Sequence, residues 1–413
     1  MHPMPPSTLE EQTRRDLLDC FAAGVKRVSG ATAVRRWLEA QQMPRCAVVA
    51  LGKAAPSMLS GAREVLGDSI DSALMAVDPS YVESVPPGVR WVEGSHPVPD
   101  TRSLAAGEAV LTFVDNLPAG LPLLFLISGG TSSMVEALHP GVTLDDLARA
   151  TSWLLGSGYS IDAMNTVRKA MSRIKGGGLL DFVGDREVVA LLISDVPGDD
   201  PATVGSGLLV PDPGLRERLA ELELPGWLKG LAERGSRAEG PSRTAAVHLV
   251  ATNRDACVAA AAHAERLGYT AWAHSTFLQG DAGEQGHRLA RQLLGGPAGI
   301  HVWGGETTVQ LPPSPGRGGR NQHLALSAAE IFAGKAGVAL LSGGTDGRDG
   351  PGEDAGALVD GSTLGRGSLG GLDARRCLAG ADSGRFLDAA GDLINTGPTG
   401  TNVMDLVIGW KAE

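Results

Sequence analysis

Composition and charge exclude several classes of protein. The 413-residue chain has 36 Lys and Arg against 47 Asp and Glu, and its net charge of −11 argues against a nucleic-acid or anionic-membrane partner. Its four cysteines form no CxxC pair, so neither a disulfide framework nor a zinc site is indicated. The N-terminus has no apolar signal-peptide core and no later apolar run reaches membrane-spanning length, so we expect a soluble, cytoplasmic protein.

Length and glycine content predict two α/β domains. One hydrophobic core seldom extends over a chain of 413 residues. The 57 glycines are about twice the usual share of roughly 7%, which is typical of many tight turns between strands and helices. We expect two Rossmann-like α/β domains with mainly parallel sheets and the active site in the cleft between them. The N-terminal domain would span residues 1–240, with a linker near 215–243 that has few core residues, and the C-terminal domain residues 241–413.

The first half of the chain alternates between helical patterns and short apolar runs. Apolar positions at a 3.6-residue period predict helices, and continuous apolar runs predict buried strands. Two prolines, Pro97 and Pro99, exclude a helix from residues 91–100, which we interpret as a loop. The predicted helices are 9–38, 103–114 and 162–174, and the predicted strands are 46–51, 73–77, 121–127 and 188–193.

The alternation resumes in the second half. Asn253 is the expected N-cap of the first helix there, because an asparagine oxygen can accept from the helix N-terminus. The predicted strands are 246–251, 270–273, 299–303, 338–341, one near Val359, and 403–408. The predicted helices are 253–267, 282–294 and one that ends at Phe332.

Glycines with polar or charged residues follow five of the predicted strands. Open α/β sheets bind ligands beyond the carboxyl ends of their strands, so these segments together predict a phosphate-handling cleft. Lys53 follows a buried strand and a glycine, which favours a phosphate contact over a surface lysine. Arg317 and Arg320 are spaced by glycines, which favours an anion clamp over a solvated turn. The five segments are 52–53, 128–132, 194–199, 304–307 and 342–349.

The segment 342–360 places carboxylates between glycines. Asp346, Asp349, Glu353 and Asp354 lie there. This pattern suits a magnesium-bound phosphate, because carboxylate oxygens hold the ion and unobstructed backbone N–H groups can approach the phosphate. The alternative is a solvated turn.

The common nucleotide-binding fingerprints are missing. The chain has neither a GxxxxGK[ST] loop nor the protein-kinase motifs. One GxGxxG occurs at Gly365–Gly370, but no second strand ending in an acidic residue follows at the required distance. We interpret it as a loop rather than a dinucleotide site. For His96, a structural role and a catalytic role stay equally open.

Eight motifs in order along nearly the whole chain resemble the glycerate 2-kinase family with a MOFRL C-terminal domain (here about 300–410). The motifs are Ala50-Leu-Gly-Lys-Ala-Ala55, Ser128-Gly-Gly-Thr-Ser-Ser133, Asn165-Thr-Val-Arg-Lys169 with Lys175-Gly-Gly-Gly-Leu179, Ser194-Asp-Val-Pro-Gly-Asp199, Gly304-Gly-Glu-Thr307, Gly316-Arg-Gly-Gly-Arg-Asn-Gln322, Thr345-Asp-Gly-Arg-Asp-Gly-Pro351 and Thr396-Gly-Pro-Thr-Gly-Thr-Asn402. The chain departs from the family at Ala381-Asp-Ser-Gly384, where Asn-Asp-Ser-Tyr is usual, and at Gly207-Leu208, where Gly-Pro is usual.

The resemblance implies ATP-dependent phosphorylation of the 2-hydroxyl of D-glycerate with a divalent metal. The family's catalytic lysine and arginine correspond to Lys53 and Arg320. We further expect Asp195 as the first candidate for general base, Asp195 and Asp346 as Mg²⁺ ligands, and Arg168, Lys169 and Asn165 as substrate-binding residues. The expected phosphate- or nucleotide-binding residues are Ser128, Gly129, Gly130, Thr131, Ser132, Gly304, Gly305, Glu306, Gly343, Gly344 and Thr345.

Two other functions remain possible at this point. One is an NAD(P)-dependent hydroxypyruvate reductase, against which the missing dinucleotide fingerprint argues. The other is a non-catalytic nucleotide-binding protein. The expected partners are the small molecules D-glycerate and ATP, and the sequence leaves the oligomeric state open.

Overall fold

The computed structural model describes residues 8–82, 84–235 and 243–413. The chain divides into two compact units. One unit is Gly30–Val250, and the other combines the residues up to Ser29 with Ala251–Glu413. Within the described residues, no helix is both long and apolar enough to cross a membrane.

Helices and strands alternate along most of the chain. The α-helices are α1 (Thr8–Val28), α2 (Gly30–Glu39), α3 (Ala55–Leu66), α4 (Thr101–Asp115), α5 (Thr131–Met134), α6 (Leu144–Gly156), α7 (Ile161–Ala170), α8 (Leu215–Ala220), α9 (Gly226–Gly235), α10 (Asn253–Arg266), α11 (Ala282–Gly295), α12 (Arg320–Phe332), α13 (Thr363–Leu369), α14 (Ala374–Ala379) and α15 (Ser383–Ala390). The strands are β1 (Cys46–Leu51), β2 (Ile70–Val77), β3 (Val89–Glu93), β4 (Leu123–Ile127), β5 (Val188–Ile193), β6 (Ala246–Ala251), β7 (Ala271–Leu278), β8 (Gly299–Gly305), β9 (Val338–Gly344), β10 (Gly356–Asp360), β11 (Leu393–Ile394) and β12 (Asp405–Lys411).

The sheet of the first unit has the strand order β3-β2-β1-β4-β5-β6. Neighbouring strands from β3 to β5 pair in parallel. All residues of β1, β4 and β5 are buried, as expected for apolar strands covered on both faces. The strand order reverses between β1 and β4, so the carboxyl ends of these two strands flank a topological switch point.

A small helical lobe, made of α6 to α9, belongs to the same unit. Its apolar core includes Leu147, Leu154, Val167, Leu219 and Leu228. The last two residues lie in the segment expected to be a poorly packed linker. Residues 215–235 therefore pack into a core of their own, and the rest of that predicted linker, up to residue 242, lies outside the described residues.

The sheet of the second unit is mixed and has the order β11-β10-β9-β12-β8-β7. Strands β7 and β8 pair in parallel, whereas β12 is antiparallel to both β8 and β9, and β10 is antiparallel to β9 and β11. Four of the six strands still run in one direction. The α/β fold with mainly parallel strands is thus confirmed, and the reversed central strand β12 is a feature that the sequence pattern did not reveal.

The N-terminal helix α1 groups with the second unit, whereas the sequence placed it in the first domain. Arg14 donates to Asp392 over 2.8 Å, and the Tyr269 hydroxyl donates to Asp16 over 2.5 Å. The Thr401 hydroxyl donates to the Val28 carbonyl over 2.7 Å. These partners come from the far end of the sequence, so local patterns could not indicate them.

Several predicted elements need correction. The helix expected over 9–38 is two helices, α1 and α2. Gly30 begins α2 and lies in close contact with α3, since a Cβ there would be 2.7 Å from the backbone nitrogen of Met58. The loop expected at 91–100 begins with a strand, since Trp91 pairs with Met75 before the first proline. The GxGxxG segment lies mostly in α13 rather than in a loop, and Gly367 allows the Phe386 ring to pack against that helix.

Candidate active site

The switch point of the first unit joins the turn after β1 to the turn after β4. The backbone N–H of Lys53 donates to the Gly129 carbonyl over 2.9 Å. The Ser128 hydroxyl accepts from the backbone N–H of Ala54 over 3.0 Å. A Cβ at Gly52 would lie only 2.5 Å from the Ser128 carbonyl oxygen, so glycine is required for this close approach. The structure therefore brings Lys53 together with the 128–132 segment, as the strand ends predicted.

Gly130 is the point where the side chains around this turn converge. It has a φ of 82°, and a Cβ there would lie 3.2 Å from Cγ of Lys53 and 3.1 Å from Cδ2 of His96. The Lys53 ammonium lies 5.9 Å from the centroid of the Tyr81 ring, and Tyr81 and His96 meet edge to face. His96, whose role the sequence left open, thus lies beside the lysine of the candidate site.

Arg168 and Lys169 differ in their surroundings. Arg168 donates to the Ser132 carbonyl over 3.4 Å, which places its guanidinium at the 128–132 segment. Lys169 is buried and forms an ion pair of 2.8 Å with Asp212, a carboxylate that also binds Arg218. The charge of Lys169 is therefore neutralised within the protein, and Arg168 is the better candidate for a substrate anion. Asn165 lies on the same helix, α7.

The segment after β5 contains a residue that the sequence analysis did not single out. Asp195 follows the strand directly, as expected. Asp199 has a φ of 54°, a strained conformation for a residue with a side chain. Its Oδ1 atom is buried and has no hydrogen-bond partner among the described residues. A buried carboxylate oxygen without a donor is expected to seek a proton or a cation.

Arg320 is the central cation of the second unit. It begins α12, and its guanidinium contacts Asp405 through two hydrogen bonds of 2.6 and 3.0 Å and Glu306 over 2.6 Å. Asp405 opens β12 and is paired with Gly305 on β8 and Gly344 on β9, so it lies at the edge where those strands end. Although burial opposes its charge, the Asp405 and Glu306 carboxylates raise the pKa of Arg320 above its ordinary value.

Asp349 fixes the start of the helix that carries Arg320. Its carboxylate accepts from the backbone N–H groups of Asn321 and Gln322 over 3.0 and 2.8 Å. Burial raises the pKa of Asp349 to about 7, against the lowering effect of these two hydrogen bonds. Burial likewise raises the pKa of Asp405, although Arg320 opposes this. The sequence analysis did not propose a role for Asp405. Its position as the one charged residue in the otherwise apolar run 403–408 could have indicated it.

The glycines of the second unit that the sequence suggested as a phosphate cradle lie in close contact with neighbouring groups. A Cβ at Gly304 would overlap Oδ1 of Asn253, and a Cβ at Gly305 would overlap the backbone of Leu278. Gly343 and Gly344, also within a strand, approach the Phe21 ring and the Arg348 carbonyl in the same way. These glycines are therefore needed for close packing inside the protein.

Two further residues of this unit are held by internal contacts. The Thr345 hydroxyl donates to the Met404 carbonyl over 2.6 Å and accepts from the Val403 N–H, so it ties two loops together. Arg317, expected to clamp an anion, forms ion pairs with Asp354 at 2.8 Å and Asp388 at 3.0 Å. In this structure both side chains are therefore engaged by groups of the protein itself.

Asn253 does not have the N-cap role that the sequence predicted. Its side chain donates to the carbonyls of Val403 and Asp405, and Thr252 caps α10.

The described residues contain no group of three or more His, Cys, Asp or Glu side chains placed to hold a metal ion. Asp195 and Asp346, the expected ligands, belong to different units. A magnesium ion that enters with nucleotide phosphates needs only one or two protein carboxylates. Either Asp195 or Asp346 alone would therefore suffice for such an ion.

Comparisons with known proteins show the family of the chain. Residues 16–223 match a family model described as a domain of unknown function (DUF4147), and residues 299–405 match the MOFRL family. The chain is 38% identical over 412 residues to the D-glycerate 2-kinase of Thermotoga maritima, covering 97% of this chain and 98% of the relative. It belongs to the glycerate 2-kinase family.

A solved structure is also named glycerate kinase, whereas a second relative has a different name. The crystal structure of glycerate kinase from Thermotoga maritima superimposes with a TM-score of 0.88 at 36% identity, covering 97% of this chain and 100% of the other. A protein of Agrobacterium vitis, 37% identical over 95% of this chain and 93% of its own length, is named provisionally as a hydroxypyruvate reductase. Within the glycerate 2-kinase family, then, the names point to two reactions.

Proposed function

We propose that the protein transfers the γ-phosphoryl group of ATP to the 2-hydroxyl of D-glycerate. The observation that carries the proposal is the position of Lys53 at the topological switch point, hydrogen-bonded through its backbone to the 128–132 segment. Open α/β sheets bind their ligands at such points. A relative 38% identical over 97% of the chain is named D-glycerate 2-kinase, which supports the same reaction.

Phosphoryl transfer depends mainly on positioning and on neutralising charge. In the proposed mechanism Lys53 and Arg320 neutralise negative charge on the transferring group. The 128–132 segment binds phosphate oxygens. Arg168 binds the carboxylate of glycerate and Asn165 contacts the substrate, because an anionic substrate needs a fixed cation and hydrogen bonds that orient it.

Asp195 and Asp346 are the proposed Mg²⁺ ligands, and a bound magnesium ion supplies charge neutralisation for the nucleotide phosphates. Asp195 is the first candidate to accept the proton of the 2-hydroxyl. Asp199 is the second, because its buried Oδ1 has no hydrogen-bond donor among the described residues. Comparing Asp195→Asn with Asp199→Asn in the pH profile of kcat distinguishes the two.

One set of assays tests the proposal. ADP formation is measured with D-glycerate, L-glycerate, tartronate and hydroxypyruvate, and ³¹P NMR identifies the phosphorylated position. The kinase predicts ATP-dependent formation of 2-phosphoglycerate from D-glycerate. Turnover of NAD(P)H with hydroxypyruvate and no requirement for ATP would instead establish the reductase. ATP binding without turnover of any acceptor would establish a binding protein.

The structure offers the reductase little support. Its one GxGxxG segment lies mostly in α13, where Gly367 packs against Phe386, and not in a turn between a strand and a helix. A dinucleotide fingerprint needs that turn so that the backbone can approach the pyrophosphate. The kinase therefore remains the proposed function.

A further inference from the structure

A fully buried ion pair lies beneath the 128–132 segment. Glu136 and Lys175 are both 0% exposed and in direct contact. Glu136 also accepts from the Ser172 hydroxyl over 2.5 Å and from the backbone N–H of Ala137 over 3.0 Å. Burying two charges is costly unless each is paired and hydrogen-bonded, and Glu136 meets both conditions.

Arg168 is a second cation close to the same carboxylate. It lies on α7, one turn before Ser172, and its guanidinium reaches the Ser132 carbonyl, four residues before Glu136. Burial lowers the pKa of both Arg168 and Lys175, and Glu136 acts in the opposite direction on each. One buried cation, Lys175, and one half-buried cation, Arg168, therefore lie close to the same anion.

Lys175 and Arg168 do not interact equally with Glu136. Lys175 contacts Glu136 directly, whereas Arg168 forms no ion pair with any described residue of the Gly30–Val250 unit. The local group of Arg168, Glu136 and Lys175 has a net charge of +1. An excess positive charge on a half-buried guanidinium favours binding of an anion.

We propose that Lys175 is a positioning residue, which holds the Glu136 carboxylate so that the Arg168 guanidinium remains available for the carboxylate of the hydroxy-acid substrate. The inference rests on the proposed function, since it assigns Arg168 to the substrate. The proposal also gives a role to the buried Lys175 ammonium beside the buried Glu136 carboxylate.

The proposal predicts opposite behaviour for the two members of the pair. In Lys175→Met, Glu136 loses its ammonium partner and attracts Arg168, so the KM for D-glycerate rises by roughly tenfold or more, the equivalent of about 1.4 kcal/mol of lost binding. In Glu136→Gln no carboxylate competes for Arg168, so this KM stays within about threefold of the wild-type value. The KM for ATP changes by less than about threefold in both variants.

The double variant Glu136→Gln/Lys175→Met is the decisive one. It removes both charges with similar side-chain volumes, and replacing a buried ion pair in this way is often tolerated. We expect the KM for D-glycerate to return to within about threefold of the wild-type value. If the pair were only structural, both single variants would raise this KM and the double variant would not restore it.

The outcomes separate the two proposals. A wild-type enzyme inactive with D-glycerate overturns the proposed function. An active wild type overturns the inference alone if Lys175→Met keeps the wild-type KM or if the folded double variant keeps a raised KM. Circular dichroism establishes whether each variant folds. If Lys175→Met does not fold, the other two variants decide. A raised KM in Glu136→Gln or in the double variant contradicts the inference, and a wild-type KM in both Glu136→Gln and the double variant supports it.

Discussion

Replacing Asp405 by asparagine tests how Arg320 is held. The substitution keeps the shape of the side chain and removes the charge that accepts two hydrogen bonds from the guanidinium. Breaking a buried ion pair costs about 3–5 kcal/mol. Asp405 is 5% exposed but Arg320 is 35% exposed and keeps Glu306, so screening reduces the expected loss to about 2 kcal/mol.

That loss has two measurable consequences. The melting temperature should fall by roughly 4–8 °C, at 2–4 °C per kcal/mol for a unit of this size. The kcat with D-glycerate and saturating ATP should fall about a hundredfold, because a cation displaced by about 1 Å stabilises the transition state poorly. Thermal unfolding followed by circular dichroism and a coupled ADP assay measure the two effects on the same preparation.

Asp388→Asn is the matched control. Asp388 also pairs with an arginine of the 316–322 segment, Arg317, but it is 62% exposed. A surface pair contributes about 0–1 kcal/mol, so this variant should keep its melting temperature within roughly 3 °C and its kcat within about twofold. Asp405→Asn with wild-type kcat would refute the reasoning, because Arg320 would then not depend on this carboxylate.

Three further predictions concern the residues of the two sites. Arg320→Lys should lower kcat far more than it raises KM, because an ammonium cannot reproduce the planar guanidinium; a change in KM alone would make Arg320 a binding residue. Asp195→Asn and Asp346→Asn should each raise the magnesium concentration needed for half-maximal activity, and unchanged titrations in both would exclude them as ligands. The pKa of Asp349 is raised in the folded state to about 7, so its stabilising contribution is complete below pH 4 and is lost as the pH rises through 7. The wild type should therefore lose unfolding free energy relative to Asp349→Asn over that interval in urea titrations, and a constant difference would contradict the assignment.

Strands covered on both faces were the part of the fold that the sequence predicted best. Residues 46–51 and 188–193 coincide with β1 and β5, because each is an apolar run bounded by polar residues or glycine. Residues 246–251 coincide with β6, although most of that strand is exposed or half-buried. The partly exposed strand β3 was missed, since its sequence Val89-Arg-Trp-Val-Glu93 is not a continuous apolar run. The position of Lys53 at the switch point followed from the same runs.

The remaining site residues depend on contacts that no local pattern encodes. Asp405 reaches the edge where β8 and β9 end only because β12 runs antiparallel to them, and strand direction is a property of the whole sheet. Lys169 is neutralised by Asp212, 43 residues away in the chain. Glu136 and Lys175 lie 39 residues apart, and charged residues are normally expected on the surface.

The membership of α1 in the second unit has a consequence for synthesis on the ribosome. This helix is made before the rest of its unit, and its partner Asp392 lies 378 residues beyond Arg14. At about 5–20 residues per second, roughly 20–75 s pass before that partner is made. Leu17, Cys20 and Phe21, buried in the finished protein, lack part of their native cover for this time, while the contiguous Gly30–Val250 unit can already fold. The nascent chain therefore exposes the apolar face of an amphipathic helix until the rest of its unit is made.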